Sequence, residues 1–182
     1  MTGVATGDYV GDPVSRYASA LSPLDCETSF QTIAKSCVYL IESSRRSAIA
    51  ADPEAIHAMR IELTRLRAAV RFFSPMVEDA AWPAIRKELR WLNSALGKAR
   101  DHDVTANYTR RTRYRSWATR YRRAVARAQD EAHRSLTQKL HSTRYDRLIA
   151  ALNHWMTNGP WLKDDRALRS ERIDIYSEAS LR

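Results

Sequence analysis

Between Glu54 and Phe73 the chain reads EAIHAMRIELTRLRAAVRFF, and the basic residues in this stretch are spaced to act together. His57, Arg60, Arg67 and Arg71, with Thr64 among them, recur at intervals of three and four. On a helix these five positions fall within an arc of about 80°, and the row is roughly 21 Å long. The chemistry open to such a row is anion binding. A guanidinium donates two parallel hydrogen bonds to phosphate oxygens and stays charged at every working pH. An extended polyanion suits an extended row better than a single small phosphate does. For any one position the plainer alternative is a solvated boundary face whose arginine stems cover apolar surface. His57 heads the row and adds a neutral donor or a cation. Phosphoacceptor chemistry would want a helper carboxylate, and the nearby Glu54 and Glu62 are not well placed on its face.

Each member of the row sits one residue behind an apolar position. Ile56, Met59, Leu63, Leu66, Val70 and Phe73 repeat at 3, 4, 3, 4, 3, the mark of a core-facing seam. The arrangement recurs downstream. Ile85, Leu89, Leu92, Leu96 and Ala99 form a second seam, and one residue later come Arg86, Arg90, Asn93, Gly97 and Arg100. If the two helices pack as antiparallel neighbours, both basic rows face one groove. Gly97 costs a helix interior about 0.8–1 kcal/mol relative to Ala, so its position predicts close approach of a neighbouring helix or of a ligand.

Other chemistry finds little support. His102, His133, His141 and His154 form no i, i+4 pair or Glu-flanked helical motif of a zinc hydrolase. In Asp101-His102-Asp103 the carboxylates point about 160° apart on a helix, which suits an ion pair to a groove arginine better than a metal. No P-loop, dinucleotide turn, nucleophile elbow or paired-carboxylate cluster occurs. The expectation is a protein without catalytic machinery, cofactor or metal.

The elements carrying these rows are all helical. The chain has 182 residues, 5 Gly and 6 Pro, and no sustained period-2 pattern. Asp25 opens a first helix reaching about Ala50, with Phe30, Ile33, Cys37, Leu40 and Ile41 on its buried face. Asp52-Pro53-Glu54 supplies an N-cap, a first-turn proline and an acid for the second helix. Trp82-Pro83 starts a third, to about Tyr108. A fourth spans about Arg110 to His141, and a fifth about Arg144 to Met156, stopped by Asn158-Gly159-Pro160. Residues 1–24 read as a flexible arm, 25–160 as an antiparallel helical bundle, and 161–182 as a partly helical extension. Cys26 and Cys37 lie roughly 16 Å apart along one helix, too far for a disulfide. Together with the absence of a membrane-length apolar run or signal segment, they predict a cytoplasmic protein with reduced thiols.

Formal charge is +9, and it is concentrated. Residues 1–28 carry one Arg against four acids and residues 163–182 balance, whereas Arg110 to Arg134 hold nine Arg against Asp130 and Glu131. Concentration favours a binding surface over general solubility. In the run RRTRYRSWATRYRRAVAR, Tyr114, Trp117 and Tyr121 recur at 3 and 4. That spacing serves either a core seam or base stacking on nucleic acid, so nucleic-acid binding through Arg110 to Arg127 stands as the alternative function.

Three ordered blocks carry a resemblance: DPEAIHAMRIELTRLRAAV, LRWLNSALGKARDHDV and STRYDRLIAALNHW. The first has the His-x-x-Arg and Arg-Leu-Arg pattern, and the second the Leu-Gly-x-x-Arg-Asp-x-Asp-Val pattern, of the CHAD family, the conserved histidine α-helical domain. The likeness covers roughly Phe30 to Trp155. It implies an all-helical domain that binds inorganic polyphosphate in a basic channel and has no enzymatic activity of its own. On the motifs fall His57, Arg60, Arg65 and Arg67, then Arg100 with Asp101 and Asp103. The helical wheel adds Arg71, Arg86 and Arg90, and puts Arg65 on the other side of the row. Thr64 stands where the family usually has a basic residue. A full-length member has a second related half, with its own motif, that is not seen after Trp161. The chain therefore looks like half a domain, and a homodimer is expected to supply the missing half; no membrane partner is expected.

Overall fold

A computed structural model describes residues 24–111 and 118–180. The proposed flexible arm, up to residue 23, lies outside the described residues, as do Tyr114 and Trp117. The chain order is α1 (Cys26–Ile49), α2 (Pro53–Phe72), α3 (Ser74–Val77), α4 (Trp82–Arg111), α5 (Ala118–Leu140), α6 (Thr143–Asn158), a 3₁₀ turn (Pro160–Leu162), α7 (Arg166–Arg169) and α8 (Ile173–Ser180). There is no strand among the described residues, only an isolated bridge between Asp25 and Arg172. None of these helices is long and apolar enough to cross a membrane.

Caps set the starts. Asp25 accepts from Thr28 N at 2.7 Å and Asp52 from Glu54 N at 3.0 Å, with Pro53 in the first turn of α2. Asp79 does more. Its Oδ1 accepts from Ala81 N and Trp82 N at 2.8 and 3.0 Å, anchoring the start of α4. Its Oδ2 accepts from Trp155 Nε1 and Trp161 N, both at 3.1 Å, so one carboxylate ties α4 to α6 and the turn after it. Gly159 caps the end of α6, and only a glycine has room there: a Cβ would sit 2.4 Å from Trp155 O and 2.6 Å from the Trp161 ring.

Both predicted seams are core. Ile56, Met59, Leu63, Leu66, Val70 and Phe73 are buried, as are Ile85, Leu89, Leu92, Leu96 and Ala99. On α1 the burial is offset from the expected face. Phe30, Cys37 and Ile41 are buried, but Ala34 and Val38 join them, while Ile33 is half-buried and Leu40 exposed. Rings concentrate at one end of the bundle. Phe30 meets Phe73, Trp155 and Trp161 edge-on at centroid distances of 5.7, 5.7 and 5.4 Å, and Trp82 stacks on Trp155 at 5.2 Å.

Cys26 and Cys37 are free and buried. Burial and the Glu62 carboxylate push the Cys37 thiol up to about 12, so it packs rather than reacts. The segment after Gly159 folds back onto the bundle. Ile173 N donates to Leu24 O at 3.0 Å, Arg169 pairs with Glu27 at 2.7 Å, and Tyr176 donates to Phe72 O at 2.8 Å while stacking on Phe73. Trp161 and Tyr176 thus belong to the same core as α1 and α2. The helix boundary near residue 110 also differs from expectation: Arg110 and Arg111 close α4 instead of opening α5.

Candidate functional site

The two basic rows lie on neighbouring antiparallel helices. At one end Arg60 approaches Asp101 at 3.7 Å, while Arg100 donates to Pro53 O at 3.2 Å and approaches Glu54 at 3.7 Å. At the other end the C-terminal half of α2 meets the first turns of α4. There a cavity of about 550 Å³ is lined by Arg67, Arg71 and Arg86 together with Thr64, Glu78 and Trp82. Arg90 lies one turn beyond Arg86 on the same side of α4 and is exposed, as is His57 at the opposite end of α2.

Pairing divides these cations into two groups. Arg60 and Arg100 are half-buried, and each has a carboxylate across the α2–α4 seam. Arg67, Arg71, Arg86 and Arg90 are exposed and make no ion pair or side-chain hydrogen bond among the described residues. Arg65 is elsewhere. It pairs with Glu62 at 3.1 Å and lines a separate cavity of about 470 Å³ with Ile33, Phe72 and Ile173, on the α1 side of α2. Its motif position and the site therefore part company, as the helical wheel required. Two further lining residues, Glu78 and Trp82, have no place in either row. Glu78 sits in the connection between α3 and α4, where no helical periodicity reaches.

Gly97 behaves differently from one expectation. A Cβ at this position would meet nothing within 4 Å, so no neighbouring helix approaches it. Packing therefore gives no reason for a glycine at this position. Gly97→Ala should therefore stabilise the free protein by about 0.8–1 kcal/mol, read by urea denaturation; an unchanged midpoint would contradict this.

The two aspartates of the second motif also separate. Asp101 faces Arg60, whereas Asp103 is buried against α5, where its Oδ1 lies 2.6 Å from His133 Nε2 and accepts from Gln129 Nε2 at 2.8 Å. Asp103 Oδ2 and His133 Nδ1 are buried and have no hydrogen-bond partner among the described residues. This cluster joins residues about 30 positions apart and carries no local signature. Among the described residues no group of three His, Cys, Asp or Glu side chains could hold a metal ion.

The family model described as the CHAD domain matches residues 32–179. The chain belongs to the CHAD domain family. The match runs past Trp155 through α7 and α8, in keeping with their packing against the bundle. A similar solved structure is the crystal structure of the CHAD domain from the plant Ricinus communis. The likeness has a TM-score of 0.75 and 26% identity, over 86% of this chain and 52% of that one. The chain thus spans about half the length of that CHAD structure. No curated protein matches it.

Proposed function

We propose that the chain is a non-catalytic binding module for inorganic polyphosphate, held in a groove between α2 and α4. The observation that carries this reading is the cluster of unpaired guanidiniums of Arg67, Arg71 and Arg86 around one cavity. Three guanidiniums against the single Glu78 carboxylate leave net positive charge there, which an anion would compensate. Arginine forks supply charge-assisted hydrogen bonds to phosphate oxygens, and Arg90, Arg100, Arg60 and His57 extend the line for a chain of phosphates. Membership of the CHAD family supports the same ligand.

Isothermal titration tests it. Medium-chain polyphosphate should bind far more tightly than orthophosphate at equal phosphate concentration, because successive phosphates engage successive arginines once the first is held. Equal affinities would overturn an extended groove. By analogy with nucleic acids, released counterions should make the affinity fall steeply with salt.

Self-association completes the reading. The aligned part of this chain covers 52% of the Ricinus communis structure, and a second copy would supply a comparable half around a twofold axis. Light scattering on the full chain should give a dimer. A monomer that binds long-chain polyphosphate at full affinity would remove this part of the proposal.

A further inference from the structure

The charge row on α4 does not end where α2 ends. Arg100 reaches the first turn of α2, yet α4 continues to Arg111, roughly 16 Å further at about 1.5 Å per residue. There its partner is α5, and past the Asp103–His133 pair the buried side chains among the described residues are Ala106 and Val125. This part of the hairpin is a two-helix arm.

Its surface has an unusual composition. From Val104 to Gln129 the sequence contains no acidic residue. Arg110, Arg111, Arg120, Arg122, Arg123 and Arg127 are all exposed. Among them stand Val104, Tyr108 and Tyr121, which are 55%, 72% and 48% exposed. Tyr121, whose spacing also suited a core seam, is on the surface. By the helical wheel Val104, Tyr108 and Arg111 lie within the same arc of about 80° as Arg86, Arg90 and Arg100. The row thus changes character along α4, from arginines beside a polar helix face to arginines beside exposed rings.

We propose that this arm binds single-stranded nucleic acid, at a site separate from the α2–α4 groove. The uniform positive charge selects a polyanion, because an acid-free surface of six cations complements phosphate and repels most basic partners. The rings select among polyanions. A polyphosphate chain has no flat face and gains nothing from an exposed tyrosine, whereas an unpaired base stacks on one, with arginine alongside. Bases in a duplex are already stacked on each other, so the arm favours single strands.

Fluorescence anisotropy on the full chain tests this with oligo(dT) and oligo(U) of about 20 nucleotides, longer than the roughly 4–16 that one single-strand-binding fold covers. The wild type should bind at least one of them more tightly than a duplex of equal length. The double variant Tyr108→Ala/Tyr121→Ala should weaken single-strand binding by roughly 10-fold or more, with polyphosphate affinity unchanged; Tyr108→Phe/Tyr121→Phe, which keeps both rings, should bind like the wild type, and circular dichroism checks that each variant is folded. No binding, tighter duplex binding, or wild-type affinity in the alanine variant each overturns the proposal. So does a loss of oligonucleotide binding in Arg67→Glu/Arg86→Glu alone, which would put the strand in the groove instead. The proposal stands independently of the polyphosphate reading, since that reading fails by a different result: polyphosphate affinity unaffected in the same groove variant.

Discussion

Arg67→Glu/Arg86→Glu is expected to lower the affinity for medium-chain polyphosphate by about 100-fold or more. Hydrogen bonds to charged groups contribute about 1.5–3 kcal/mol each, and 1.4 kcal/mol is about a tenfold change in affinity. Losing two such contacts therefore accounts for about 100-fold at the low end, and the introduced carboxylates add repulsion to a phosphate chain. The two residues were chosen from opposite walls of one cavity, so the variant tests the juxtaposition of α2 and α4 and not merely net charge. Lys35→Glu/Arg46→Glu, at two exposed positions on α1, reverses the same amount of charge outside the cavity and should change affinity little. Both arginines are exposed and unpaired, so the far-ultraviolet spectrum and the urea midpoint should hold. A salt series on the variant should also show a shallower slope, because fewer counterions are released. An unchanged titration would place the ligand, if any, outside this cavity.

Trp155→Ala should be the most damaging single core substitution, at about 3–5 kcal/mol. Against a typical stability of about 5–15 kcal/mol, that loss is severe. The indole is 2% exposed and touches the rings of Phe30, Trp82 and Trp161. Its Nε1 donates to Asp79, the carboxylate that also holds the start of α4 and the turn after α6. Removing it opens a cavity and loosens the register of the helix that carries Arg86 and Arg90. Trp155→Phe keeps a ring in place and loses only part of the volume and the bond to Asp79, so it should cost clearly less. Urea denaturation of the two variants separates packing from hydrogen bonding. Equal losses would mean that the Asp79 bond, not the ring packing, holds this end of the bundle.

Much of the bundle is legible in the sequence alone. The seams of α2 and α4 are buried at every predicted position, because burial of one helix face imposes a period near 3.6 that the residues record directly. The caps at Asp25 and Asp52 and the stop at Gly159 are equally local, since each concerns backbone groups within a few residues. The basic rows follow from the same periodicity, and so does the displacement of Arg65 to the far side of α2.

Tertiary structure alone decides the rest. Spacing states that a face is apolar or charged, not what lies opposite it. Tyr121 shares the 3-and-4 spacing of core residues, yet it is 48% exposed. Gly97, whose expected neighbour was a helix or a ligand, has no protein atom within 4 Å of where a Cβ would sit. Asp79 gathers donors from residues up to 82 positions away, and Arg169 finds Glu27 across 142. Asp103 turns to His133 and Gln129, while Asp101, two residues earlier, turns to Arg60. Such pairings depend on how whole helices are placed, which is settled by the summed packing of the core, and no short stretch of sequence contains it. The composition of each helix face is written locally; the groove exists only because two such faces are brought side by side.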